Sequence, residues 1–230
     1  MIVAIHQPNY APWLGYFAKI ARADIFVFLD DAQFSKNSYI NRVQVRNGDK
    51  PHWLTIPVKV HLGDRINAIS PAHPDWKAKH CSSLQNFYRT APAFRQEWPK
   101  IRALLEAAPA ANIACINQHI IEGLASLLGL STRFYRSSTI DTGKEGSDVR
   151  LASIVDMLAP GGTYLSGTGG QKYQMMETFD EKGIQLEISN FRHPVYAQRA
   201  PDFIPGLSVL DAIFELGLES AASLVSPERS

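Results

Sequence analysis

The 230-residue chain is 45% hydrophobic and 20% charged, with 15 Gly and 14 Pro, proportions that exclude collagen-like, coiled-coil and disordered chains. Lys and Arg number 23 against 22 Asp and Glu, a formal charge of +1, so no basic excess offers a footprint for duplex nucleic acid. The two cysteines, Cys81 and Cys115, lie far apart, which excludes a disulfide framework or a Cys-rich zinc site and fits a reducing cytoplasm. The expectation is one α/β domain over 1–230, with neither a signal peptide nor an 18-residue apolar run able to span a bilayer.

In chain order, residues 1–6 read as a short apolar strand. Pro12 then opens a helical pattern, with Trp13, Leu14, Phe17, Ile20 and Ala21 on one stripe. Ile25-Phe26-Val27-Phe28-Leu29 is apolar at every position, as expected of a parallel strand buried on both faces. Strand, helix and strand within so short a stretch form a βαβ unit. Trp53-Leu54-Thr55-Ile56 reads as a strand ended by Pro57, or as a sheet edge.

From Asp75 to about Leu130 the pattern is helical, in three stripes: Trp76, His80, Leu84 and Phe87; Phe94, Trp98, Ile101 and Leu105; Ile113, Ile116, Ile120, Leu124 and Leu127. This block (75–130) is expected to be a helical insertion or cap. Arg133–Arg136 reads as a strand, and Ser147 caps a helix stopped by Pro160-Gly161-Gly162. Thr163–Leu165 is another strand, followed by a glycine-rich turn and a helix from about Gln171. Ile184–Ile188 alternates as an edge strand does, a last helix runs from Ser208 to Gly217, and 218–230 is expected to be a loose tail. The fold class is therefore α/β, with a small, mostly parallel, Rossmann-like sheet and flanking helices.

Chemistry concentrates in a few places. His6-Gln7-Pro8-Asn9-Tyr10 lies between the first strand and its helix, where open α/β sheets bind ligands and a helix amino end favours anions. His6 is the residue there that can exchange a proton near neutral pH, with Gln7, Asn9 and Tyr10 as binding groups. The alternative is that these residues satisfy backbone groups and pack. After strand two, Asp30 and Asp31 should emerge at the same mouth as His6, pointing to opposite sides, so one faces the ligand and the other braces. Lys36, Asn41 and Arg42 follow as binding groups, the two cations suited to phosphate or carboxylate. Otherwise the stretch is a capped, solvated turn. Two carboxylates beside a diphosphate suggest a divalent metal, but no metal-ligand spacing supports one.

His80 lies on a buried helical stripe, as a catalytic group or as a satisfied core histidine, and Lys79 reaches a different surface. Ser166-Gly167-Thr168-Gly169-Gly170, with Lys172 and Tyr173 behind it, could cradle a phosphate on backbone amides or be a plain tight turn. It matches neither a dinucleotide fingerprint, nor a P-loop, nor a nucleophile elbow. Ser208 and Asp211 have capping spacing, and structure explains them better than chemistry; His193 and Tyr196 line a pocket or pack under the last helix.

His6 to Tyr10, Pro12 to Phe17 and Phe28 to Asn37, taken with Asn41-Arg42, Lys79-His80, Tyr164 to Gly167, Pro194-Val195-Tyr196-x-Gln198 and Leu207 to Asp211, resemble the WbqC-like family. The likeness runs from residue 1 to about 217, with Ala11 standing where that family commonly has a bulkier apolar residue. It implies a bacterial protein associated with O-antigen and other surface-polysaccharide genes. The reading that follows is a cytoplasmic transferase modifying a nucleotide-linked sugar, by N-acyl or aminoacyl transfer to an amino sugar. His6 would be its base, and Lys36, Arg42 and the 166–170 turn would hold phosphate. The alternatives are a nucleotidyltransferase-like enzyme and a non-catalytic ligand-binding subunit of a polysaccharide assembly complex. The expected partner is a small anionic substrate rather than nucleic acid. The sequence leaves room for a homodimer and assigns no cofactor.

Overall fold

A computed structural model describes residues 1–143, 147–167 and 176–226. Its centre is a five-stranded, all-parallel sheet of β1 (Ile2–His6), β2 (Ile25–Phe28), β5 (Arg133–Arg136), β6 (Thr163–Gly167) and β7 (Gln185–Ser189), in the order β5-β2-β1-β6-β7. The chain builds outward from β1 through β2 to β5, then returns to lay β6 and β7 on the other side. The order therefore reverses between β1 and β6, the place where doubly wound sheets open a crevice at their carboxyl edge.

Alternation along the strands assigns the faces. Val3, Ile5, Ile25, Val27 and Tyr164 pack against α5 (Ser147–Leu158) and Phe179 of α6 (Met176–Asp180). Ala4, Phe26, Phe28 and Leu165 face the other way, into the larger core. That side holds α1 (Leu14–Arg22), α2 (Trp76–Tyr88), α3 (Phe94–Glu106), α4 (Ile113–Leu127) and α7 (Val209–Leu216). Each large side chain buried there contributes about 1.5–3 kcal/mol relative to exposure.

The three helical stripes of 75–130 are α2, α3 and α4, and their buried residues join the core of the sheet's α1 face. The stretch between β2 and α2 contains an antiparallel hairpin, β3 (Arg42–Asn47) and β4 (Lys50–Thr55), separate from the main sheet. Val43, Val45 and Leu54 turn inward, while β4 is otherwise exposed. After α7 the chain does not loosen at 218. Gly217, with φ of 87°, turns it into α8 (Leu218–Ser223), where Ala221 and then Val225 are buried. The expected helix start at Gln171 lies outside the described residues.

Candidate functional site

Three contacts tie the turn after β1 to distant parts of the chain. The Asn117 side chain donates to the Pro8 and Ile40 carbonyls at 2.8 and 2.6 Å. Ser208 Oγ donates to the Ala11 carbonyl at 2.6 Å, and the Val209 N–H donates to the Pro12 carbonyl. Ala11 takes φ of 38°, the left-handed region, within this clamp. Ser208 also caps α7, accepting from the Leu210 N–H.

His6, at the carboxyl end of β1, is thereby held in one orientation. Its Nδ1–H donates to the Gln7 carbonyl at 2.9 Å, which places the lone pair on Nε2. Tyr16 meets its ring edge-on at 4.8 Å and donates its hydroxyl to the same Gln7 carbonyl. His6 lines a hollow of about 160 Å³ together with Trp13, Gly15, Tyr16, Lys19, Gly167, Ser189 and Phe191. The hollow therefore spans the carboxyl ends of β1, β6 and β7, at the reversal of strand order. Gly15 permits this closeness, because a Cβ there would lie 2.8 Å from both the Phe191 ring and the Trp13 indole nitrogen.

Lys19 is the residue that sequence reasoning missed. It is only 5% exposed, and its ammonium donates to the Ile5 carbonyl at 2.9 Å. Burial lowers its pKa from 10.5 to about 7. Burial first, and then the Lys19 charge, lower His6 to about 4 against the opposing pull of the Gln7 carbonyl. The hollow thus holds an imidazole that stays neutral at physiological pH beside an amine that exchanges protons there. The sequence does carry one faint signal: Gly15, four residues before Lys19, leaves bare the helix face along which the lysine runs.

Neither aspartate lines this hollow. Asp30, 4% exposed, accepts from Ser138 N at 3.0 Å, Ser138 Oγ at 2.7 Å and Ser137 Oγ at 3.1 Å. Asp31 accepts from Ser137 and pairs with Arg150 at 2.5 Å. Burial pulls the Asp31 carboxyl up, but the bonds from Arg150 and Ser137 outweigh it and hold it below the usual carboxylate range. Asp31 lines a second hollow, of about 380 Å³, with Arg65, Ser137, Ser138 and Arg150. Both carboxylates emerge at the carboxyl edge of β2 as expected, but they turn toward the β5 side.

The remaining expected site residues separate in the same way. Tyr10, 1% exposed, donates its hydroxyl to His80 Nδ1 at 2.8 Å, and His80 Nε2 donates to the Thr55 carbonyl at 3.2 Å. His80 is held between these partners and lies outside the hollow. Lys79 is exposed and paired with Asp75 at 2.7 Å. Asn41 donates to the Ile56 carbonyl, and Asn9 is buried in the turn. Ser166 is buried with its hydroxyl on the Gly167 carbonyl, and Lys36 is exposed. Arg42 donates to the Asn37 carbonyl and stacks on Trp53. Tyr173, Lys172 and residues 168–170 lie outside the described residues. His193 is fixed by Pro194 and Gly206, and Tyr196 donates to Asp211 at 2.8 Å.

Buried His80 makes the fold acid-sensitive. Burial, only partly offset by the Thr55 carbonyl, lowers His80 from 6.5 to about 4. The unfolded chain therefore takes up a proton in this range that the folded chain refuses. Stability should fall as pH drops from 6.5 to 4, by on the order of 3 kcal/mol from His80 alone. Denaturant midpoints followed across that range check this, and His80→Gln should flatten the slope. An unchanged slope in the variant would clear His80 of the effect.

Larger hollows lie elsewhere. One of about 520 Å³ sits at the amino edge of the sheet, by Met1, Asp24 and Arg133, away from the edge where such sheets bind ligands. One of about 770 Å³ adjoins the His6 hollow, sharing Ser189 and Phe191. Among the described residues no helix is long and apolar enough to cross a membrane, and no group of three His, Cys, Asp or Glu side chains could hold a metal ion.

The chain belongs to the WbqC-like protein family, whose model matches residues 7–223. It is 30% identical over 223 residues to "Uncharacterized protein Rv1507c" of Mycobacterium tuberculosis (strain ATCC 25618 / H37Rv), an alignment that covers 95% of each chain. No solved structure matches it.

Proposed function

We propose that this WbqC-like protein is a cytoplasmic group transferase of surface-polysaccharide biosynthesis, working as a single α/β domain. Its reaction is N-acyl or aminoacyl transfer to the amino sugar of a nucleotide-linked precursor. One observation carries the reading: two nitrogen bases, His6 and Lys19, share a hollow at the reversal of strand order.

Amide formation needs a neutral acceptor amine. The amine attacks the acyl carbonyl, the bond to the carrier breaks with its electron pair leaving on the carrier, and one proton departs from the nitrogen. His6 accepts a hydrogen bond at Nε2 and aims the amine. Lys19, poised near neutrality, takes the proton. A histidine held near pH 4 is a weak base at neutral pH, so the proton-accepting task assigned to His6 from sequence passes to Lys19. The hollow's volume of about 160 Å³ is below the range of roughly 300–1,000 Å³ usual for whole small-molecule sites. It admits the reacting groups and leaves the nucleotide outside.

The test is to incubate the protein with nucleotide-linked amino sugars and a panel of acyl and aminoacyl donors, and to look for mass-shifted sugar nucleotides. Product should form with the unmodified chain and fall about a hundredfold with His6→Ala, the loss expected when the acceptor amine is no longer held in line. Release of pyrophosphate from a nucleoside triphosphate would point instead to nucleotidyl transfer, and binding without turnover to a ligand-binding subunit. Either result overturns the proposal.

A further inference from the structure

Trp13 belongs to two structures at once. One side of it closes the His6 hollow, with the rings 6.4 Å apart. On the other it meets Tyr39 at 5.4 Å, and Tyr39 meets Trp53 at 5.6 Å. An aromatic strip thus runs from the hollow onto the outer face of the β3–β4 hairpin, and its far members are open: Tyr39 is 39% exposed and Trp53 36%. The Arg42 guanidinium lies 4.2 Å from the centre of the Trp53 ring. Exposed Lys36 is three residues before Tyr39 in the same connection between β2 and β3. The hairpin's inner face, Val43, Val45 and Leu54, is already packed into the core, so the fold does not need Tyr39 and Trp53 as core residues.

We propose that this strip is the nucleotide subsite. The base of a nucleoside diphosphate stacks on Tyr39 and against the part of the Trp53 ring that Arg42 leaves uncovered, and Arg42 contacts its phosphates. The inference rests on the transferase reading in taking the substrate to be nucleotide-linked, and it adds the residues that hold the nucleotide outside the small hollow. Exposed aromatic rings offer flat π-faces to any base. A guanidinium already oriented on a ring has less freedom to lose when it binds phosphate. The charge decides among occupants: a neutral sugar ring or an apolar partner would leave Arg42 and Lys36 without a counter-charge, whereas a diphosphate supplies one.

Isothermal titration calorimetry of the full chain with UDP, GDP, CDP and dTDP tests the assignment, with uridine and free N-acetylglucosamine as phosphate-free and base-free probes. At least one diphosphate should bind saturably. Tyr39→Ala and Trp53→Ala should each weaken it about fivefold or more, the loss expected for one stacking contact. Trp53→Phe should recover most of that loss. Arg42→Gln should weaken the diphosphate and leave the affinity for uridine unchanged. Circular dichroism confirms that the variants are folded. Failure of all four diphosphates to bind, tighter binding of the free sugar, or unchanged affinity in both alanine variants overturns the proposal. The two readings fail separately. Diphosphate binding at the strip without group transfer defeats the transferase and leaves the subsite. Transfer with an unchanged KM in Tyr39→Ala and Trp53→Ala defeats the subsite and leaves the transferase.

Discussion

Asp211→Ala should cost the fold about 3–5 kcal/mol, a large part of the roughly 5–15 kcal/mol by which a domain is stable. Asp211 is wholly buried near the start of α7. Its Oδ1 accepts from Tyr88 at 2.9 Å and lies 3.4 Å from Arg46 Nε. Its Oδ2 accepts from Tyr196 at 2.8 Å and from Gln198 at 3.0 Å. One turn on, Glu215 pairs with Arg46 and with Arg199. The cluster joins β3, α2, the stretch before α7, and α7 itself around two buried carboxylates. Removing Asp211 leaves the guanidinium of Arg46, 2% exposed, with Glu215 as its one carboxylate, and leaves the phenols of Tyr88 and Tyr196 without their acceptor. Equilibrium urea unfolding measures the loss. Asp211→Asn, which keeps one acceptor oxygen, should fall between the parent and Ala. A loss under about 1 kcal/mol for Asp211→Ala would show that water or a neighbouring group replaces the carboxylate.

The cluster also marks where local reading of the sequence stops. Ser208-x-x-Asp211 does have the spacing of a helix cap, and Ser208 does cap α7. Asp211, however, turns its carboxylate inward to partners as far away as Arg46 and Tyr88, which no window around residue 211 contains. Asp30 and Asp31 repeat the lesson. Their place at the end of β2 follows from the run Ile25–Leu29, but their direction is set by Ser137, Ser138 and Arg150, more than a hundred residues later. What was legible depended on periodicity. Runs apolar at every position gave β1 and β2, and stripes at 3.6-residue spacing gave α2, α3 and α4. The β3 strand, Arg42–Asn47, was missed because Arg42, Gln44 and Arg46 alternate with the buried pair Val43 and Val45, and the burial of Arg46 against Asp211 and Glu215 is invisible in a local window. Helix α8 follows a glycine that reads equally well as a terminus.

Lys19 was hidden for a different reason: a lysine in the last turns of an amphipathic helix is ordinarily a solvated charge that complements the helix dipole. Here α1 packs against β1, and the amine is drawn onto the Ile5 carbonyl. Lys19→Met keeps the length of the side chain and removes its nitrogen. On the transferase reading, turnover should drop about 10²–10⁴-fold, the range for loss of a positioned proton acceptor. Stability separates this loss from unfolding. Between its folded pKa of about 7 and its ordinary 10.5, Lys19 carries a proton in the unfolded chain that it lacks in the folded one. The parent should therefore gain stability as pH rises from about 7 to about 9, at close to 1.4 kcal/mol per pH unit. Higher still, Tyr10 and Tyr16, whose burial keeps them from ionising, act in the opposite sense as the unfolded tyrosines lose their protons. In Lys19→Met the gain between about pH 7 and about pH 9 should vanish while stability at neutral pH holds or improves, since no charge is then buried. A variant that keeps the parent's slope would show that Lys19 titrates as an ordinary surface amine. Full turnover in a folded variant would remove Lys19 from the chemistry and return the proton to His6.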